Sequence, residues 1–162
     1  MNTWLEALRG ASAADPDSFR PVFFRLADPS DQRGLEELLR RHTGITVHDQ
    51  LHAQLRELMR ARHPSMKWTG IELEEAITAH LNGCSLEQYG CWVYYPWSNR
   101  LVHLLDEPEF AQVRTDRNRN KITSEEQAML ATKRVGVIGL SVGQSVSLVM
   151  AMERSFGELR LA

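Results

Sequence analysis

The sequence predicts a mixed α/β protein in two parts. The first is a small α+β unit over residues 1–113. The second, over residues 123–162, is the opening strand, loop, helix and strand of a doubly wound, Rossmann-like sheet. Three observations carry this. Apolar residues recur at helical spacing in stretches between Ser30 and Leu81. Two β-prone runs, Cys91–Trp97 and Arg100–Leu105, flank Ser98-Asn99 as in a hairpin over 91–105. The apolar run Val135-Gly136-Val137-Ile138 opens directly into a loop of small residues beginning at Gly139.

Each element has a local reason. Near the start, Glu6 and Arg9 interrupt Trp4, Leu5, Ala7 and Leu8, which reads as a short amphipathic helix. A signal peptide needs a basic start and an unbroken apolar stretch, so the Ala11-Ser12-Ala13 sequence does not mark one. Among Pro16, Pro21 and Pro29, the residues Val22, Phe24 and Leu26 alternate with Phe23 and Arg25, the pattern of an edge strand. Ser30 is placed to cap a helix carrying Leu35, Leu38 and Leu39, and Gly44 ends it. From Thr46 to Arg62, Val47, Leu51, Leu55, Leu58 and Met59 form one helical stripe, stopped by Pro64. A further helix runs from about Ile71 to Leu81, with Gly83 beyond its end.

Residues 114–122 read as a basic connector, with Arg114, Arg117, Arg119 and Lys121 against the single acid Asp116. A capped helix then begins at Thr123 or Ser124, with Glu126 or Gln127 spaced for a capping box, and Lys133-Arg134 ends it. The run 135–138 has the pattern of a strand buried on both faces. Val142, Val146, Val149, Met150 and Phe156 make the apolar stripe of the following helix. Glu158–Ala162 begins a second strand.

Composition excludes several classes. At about 150 residues per domain, 162 residues allow roughly one domain, or one and part of another. A net charge of −2 argues against a general nucleic-acid binder. No run of 18 apolar residues exists, so nothing is expected to span a membrane. Cys84 and Cys91 are too few for a disulfide scaffold and read as reduced thiols of a cytoplasmic protein.

The loop after residue 138 holds the chemistry. Free N–H groups at a helix start, with the positive end of the helix dipole, make an anion site when small side chains let a phosphate approach. Gly139 supplies the tight turn out of the strand. A G-x-G-x-x-G pattern would place its other glycines at Ser141 and Gln144, whereas Gly143 stands one residue early.

This arrangement resembles the ThiF/ubiquitin-activating (MoeB/ThiF) superfamily of adenylyltransferases. The resemblance is carried by Arg117-Asn118-Arg119-Asn120-Lys121-Ile122, then Glu126-Gln127-Ala128-Met129-Leu130, then Val135 to Ser145. The Gly139-Leu140-Ser141-Val142-Gly143 wording is similar to a bacterial subgroup of long ThiF-like proteins, some with a nitroreductase-like region further on. The Trp92–Trp97 run is similar to what precedes the adenylation domain in that subgroup. The resemblance spans about residues 90–162.

It implies ATP-dependent activation of a carboxylate as an acyl-adenylate, with ATP and Mg as cofactors. The expected partner is a ubiquitin-like or sulfur-carrier protein offering its C-terminal glycine. On this mapping Gly139, Ser141, Val142, Gly143 and Gln144 line the phosphate loop. Arg117 matches the family's catalytic arginine, which often reaches ATP phosphates across a homodimer interface. Asn120 stands where the family has a second arginine, and Ser141, Val142 and Gln144 replace its crowded glycines. The second strand ends at Leu161-Ala162, where an acidic residue is expected next, so the chain reads as the N-terminal, truncated part of a larger enzyme.

Two other functions share these features. One is an NAD(P)- or FAD-dependent oxidoreductase using the same βαβ; the other is a non-catalytic interaction module with a degenerate loop. His48 and His52, four apart, could share a metal, but no third ligand accompanies them, and no metal site is expected. Cys84 lacks a base at any recognisable spacing and reads as a packing residue. Trp92, Tyr94, Tyr95 and Trp97 read as cross-strand pairs and core rather than a docking face, and His103 as structural.

Overall fold

The computed structural model describes residues 18–118 and 120–162 and divides into two compact units, Met1–Asp106 and Glu107–Ala162. The helix expected around Trp4–Leu8, Pro16 and Arg119 of the basic cluster lie outside the described residues.

The first unit is built on a four-stranded mixed sheet in the order β1-β3-β4-β2. β1 (Val22–Phe24) is an edge strand, antiparallel to β3 (Cys91–Tyr95). β3 pairs antiparallel with β4 (Arg100–Leu104), forming the hairpin. Its turn is a 3-10 segment, Pro96–Ser98, closed by Asn99 in the left-handed region. Asn99 is buried: its Oδ1 accepts from the Tyr94 hydroxyl at 2.9 Å and its Nδ2 donates to the Thr43 carbonyl at 3.1 Å. Gly90, at φ +73°, sits so close to β4 that a Cβ would lie 2.2 Å from the Leu104 carbonyl oxygen.

Helix α1 (Pro29–Arg41) starts two residues earlier than the Ser30 cap implies. Asp28 is the cap, accepting from the Ser30 N–H at 2.7 Å, and Pro29 fills the first position, where its missing N–H costs nothing. Leu35 joins Phe24, Tyr94 and Leu101 in a core cluster.

The single helix predicted from Thr46 is two elements. Thr46–Asp49 forms strand β2, parallel to β4, with Val47 beside Leu101 and half exposed. β-branched Thr46 and Val47 suit a strand, and Asp49 then accepts the Leu51 N–H at 3.1 Å where the helix begins. Helix α2 (Leu51–Arg62) buries Leu51, Leu55, Leu58 and Met59, the remainder of the predicted stripe. It packs against α3 (Gly70–Leu81), which buries Leu73 and Ile77. Burying each of these side chains contributes about 1.5–3 kcal/mol. Thr69 caps α3 in a full capping box with Glu72, and Glu74 bridges α3 to His52 and Arg56 of α2.

The second unit begins with α4 (Glu107–Thr115) and a 3-10 turn, Asp116–Asn118. The predicted connector over 114–122 is therefore partly helical, because the capable helix formers Glu107–Arg114 outweigh Pro108, which is tolerated in the first turn. Helix α5 (Ser124–Leu130) carries the capping box at Thr123 with Glu126. It ends at Leu130 rather than at Lys133-Arg134, since Arg134 already belongs to strand β5 (Arg134–Val137). Helix α6 (Leu140–Met152) connects β5 to β6 (Glu158–Leu161), and the two strands are parallel.

Two apolar patterns read from the sequence are left uncovered here. β5 is not buried on both faces: Val135 and Val137 are half-buried, Gly136 is exposed, and Ile138 lies outside the strand, 91% exposed. The valine stripe of α6 is also turned outward, with Val142 75% exposed. The covered face runs instead through Gly143, Ser147 and Met150, one helical ridge at i, i+4 and i+7. Two strands form a platform too narrow to cover a whole helix face, and the helix lays its smallest side chains on it.

Candidate functional site

β5 leads into Gly139, whose φ of +86° is a conformation that residues with a Cβ rarely adopt. The Gly139 N–H donates to the Ala162 carbonyl at 2.7 Å, and the Ala162 N–H donates to the Val137 carbonyl at 3.0 Å. These bonds fix the loop against the end of β6. From Gly139 the chain turns into α6, and no side chain caps this helix. The contrast with α1, α3 and α5 is plain, since each of those has a side-chain cap. The first-turn N–H groups of α6 thus stay available to an anion, with the dipole adding its positive end.

Gly143 supplies a feature missed in the sequence. A Cβ on it would sit 2.6 Å from Val137 Cγ1, so the absent side chain sets how closely α6 lies on β5. The signal was present as a glycine one helical turn after Gly139, but at a spacing other than the standard one. Ser141, Val142 and Gln144 are all exposed around the helix start.

Arg117 is not brought to this loop. Its exposed side chain lies in the 3-10 turn whose next residue, buried Asn118, donates from Nδ2 to the Glu153 carbonyl at 3.4 Å. Glu153 caps the C-terminus of α6. The loop is at the opposite end of this 13-residue helix, about 20 Å away at 1.5 Å per residue. Gln127 likewise donates to the Arg154 carbonyl at 3.0 Å, and Arg154 pairs with Glu107 at 3.2 Å. The whole polar cluster therefore gathers at the far end of α6.

His48 is on β2 and His52 on α2, so they do not share a helix face; His52 Nε2 lies 2.8 Å from Glu74. Among the described residues no three His, Cys, Asp or Glu side chains gather as a metal site. Both cysteines are free thiols. Burial pushes the Cys91 thiol up, with nearby Asp106 adding to the effect, which is the opposite of what a nucleophile needs. Cys84 donates weakly to the Ser85 carbonyl at 3.5 Å.

Of the aromatic set, Tyr94 is buried in the core, and Trp92 stacks on His103 with centroids 4.1 Å apart and planes 7° from parallel. His103 is 1% exposed and donates from Nε2 to the Tyr89 carbonyl at 2.9 Å. Its Nδ1 lies 3.2 Å from Asp49 Oδ1, without the alignment of a hydrogen bond. Tyr95 and Trp97 meet edge to face near the hairpin turn, with centroids 5.3 Å apart.

Fold and site together define a mixed α/β protein, and no helix among its described residues is long and apolar enough to cross a membrane. A curated relative, the uncharacterized protein MT1398 of Mycobacterium tuberculosis (strain CDC 1551 / Oshkosh), is 48% identical over 77 residues. That match covers 48% of this chain and 11% of the relative, so the chain spans only a small part of the protein it resembles. No family model matches the chain, and no solved structure matches it.

Proposed function

We propose that residues 134–162 open the Rossmann-like nucleotide domain of a ThiF-type adenylyltransferase, which activates the C-terminal carboxylate of a ubiquitin-like or sulfur-carrier protein. One observation supports this reading above the others. β5 passes through a positive-φ glycine into the uncapped α6 and returns in parallel as β6, while Gly143 lets helix and strand close on each other.

The loop fits a phosphate group. The first-turn N–H groups of α6 have no side-chain cap, and the exposed Ser141 hydroxyl is a further donor. ATP, when bound, supplies an activated phosphate for carboxylate attack, with pyrophosphate leaving. The residues of α6 hold the nucleotide's charge by backbone donation, which strengthens as charge builds on the phosphoryl oxygens. No carboxylate set for Mg2+ gathers among the described residues, so none is assigned here. Arg117, some 20 Å along α6 by the helix rise, suits the loop of a second copy rather than its own. The proposed active state is a homodimer.

The test is exchange of radiolabelled pyrophosphate into ATP by the full-length protein, with a ubiquitin-like protein ending in glycine. Exchange that falls in Arg117→Ala, and returns when that variant is mixed with a loop variant, supports the reading. No exchange with any ubiquitin-like or small carboxylate substrate overturns it.

A further inference from the structure

A second site lies wholly within the first unit, at the turn end of the mixed sheet. The β2–β4 register sets His48 beside Val102 and Thr46 beside Arg100, and the β3–β4 register sets Tyr95 opposite Arg100. Side chains alternate along a strand, so His48, Arg100, Val102 and Tyr95 share one face. Gln50 follows on the same side of β2, and the hairpin turn adds Trp97 and Ser98. Together these residues line an open cavity of about 440 Å³, the size of a small-molecule site.

Three of the polar side chains of this cavity are not used by the fold, while the Ser98 hydroxyl donates to the Tyr95 carbonyl at 3.5 Å. Among the described residues, the side chains of His48, Gln50 and Arg100 make no hydrogen bond or ion pair. Some other long polar side chains of the unit are engaged: Arg25 with Asp106, Arg56 with Glu74, Gln54 with the Leu105 N–H. No carboxylate lines the cavity, so Arg100 leaves it positive. Burial pushes the Tyr95 phenol up from its ordinary value, so it adds no negative charge at neutral pH. Tyr95 and Trp97, set edge to face at 76°, supply an aromatic wall beside the guanidinium.

We infer that this cavity binds a small anion, a carboxylate or phosphate carried on a planar apolar body. Arg100 takes the anion through its two-pronged donor fork. His48 and Gln50 donate from the β2 side, and the Tyr95–Trp97 pair covers the planar portion.

The probes are phenyl phosphate, benzoate and inorganic phosphate, titrated into the full chain and followed by amide and guanidinium NMR. Saturable shifts at Tyr95–Arg100 and His48–Gln50 with either aromatic anion support the site. Preference for benzoate or for phenyl phosphate assigns the anionic group. Arg100→Gln should weaken binding of both by tenfold or more. Trp97→Leu should weaken phenyl phosphate but leave inorganic phosphate unchanged. Arg100, His48 and Trp97 all reach the surface, and an unchanged amide spectrum of each variant shows that the fold is kept. Absence of saturable shifts at millimolar aromatic anion overturns the inference, as does binding that Arg100→Gln leaves untouched.

Discussion

Replacing Gly143 by alanine tests the closeness of α6 to β5, on which the loop geometry depends. The new Cβ would lie 2.6 Å from Val137 Cγ1, whereas carbon–carbon contacts settle at about 3.5–4.0 Å. Helix, strand or the Val137 side chain must therefore shift by roughly 1 Å, and β5 is held by its ladder with β6 and by the Ala162 bond to the Val137 carbonyl. Such overpacking costs about 1–3 kcal/mol, and the better helix propensity of alanine returns about 1 kcal/mol. The net is a loss of up to about 2 kcal/mol, some 30-fold in the local opening equilibrium.

Native-state hydrogen exchange at the amides of β5 and α6 reads this directly, because it reports local opening without requiring the two units to unfold together. Gly143→Ala should speed exchange there, and Val137→Ala, which removes Cγ1, should relieve most of that effect in the double variant. A coupling of about 1–2 kcal/mol between the two sites is expected for residues in contact. Slower exchange in Gly143→Ala, additive with Val137→Ala, would refute the reasoning, for the helix would then gain propensity without touching the strand.

Other perturbations follow from the first unit. Leu55 of α2 is 0% exposed, so Leu55→Ala should cost about 2–5 kcal/mol in urea unfolding followed by far-ultraviolet circular dichroism. Thr69→Ala removes the acceptor for the Glu72 N–H and should cost about 1 kcal/mol in the same measurement. Hydrogen bonds from the Thr69 N–H and hydroxyl hold the Glu72 carboxyl below its ordinary value of 4.5. The folded value being the lower one, this contribution is complete above pH 4.5 and is lost as pH falls through the folded value. The stability difference between wild type and Thr69→Ala should therefore shrink on acidification below pH 4.5, and a constant difference would contradict the capping geometry.

What the sequence revealed was local. The Thr123–Glu126 box, the hairpin around Ser98-Asn99 and the β5–loop–α6–β6 order depend on neighbours within a few residues, so spacing alone exposes them. β2 was hidden because Val47 stands four residues before Leu51 and so fits a helical stripe; its true partners, Arg100–His103, lie far along the chain. The covered face of α6 was hidden for a different reason. Counting apolar residues selects its valines, whereas a two-stranded platform selects Gly143 and Ser147. The position of Arg117 depends on Asn118 docking at the Glu153 carbonyl, a tertiary contact that no motif encodes.

The central claim is that the start of α6 receives a nucleotide phosphate. Titrating ATP into the chain while following each backbone amide by NMR tests it most directly. Saturable shifts at the amides of Gly139–Gln144, with weak affinity and with Arg117 unmoved unless the chain dimerises, are the predicted result. No shift at those amides, or submicromolar ATP binding that maps elsewhere, would contradict the account.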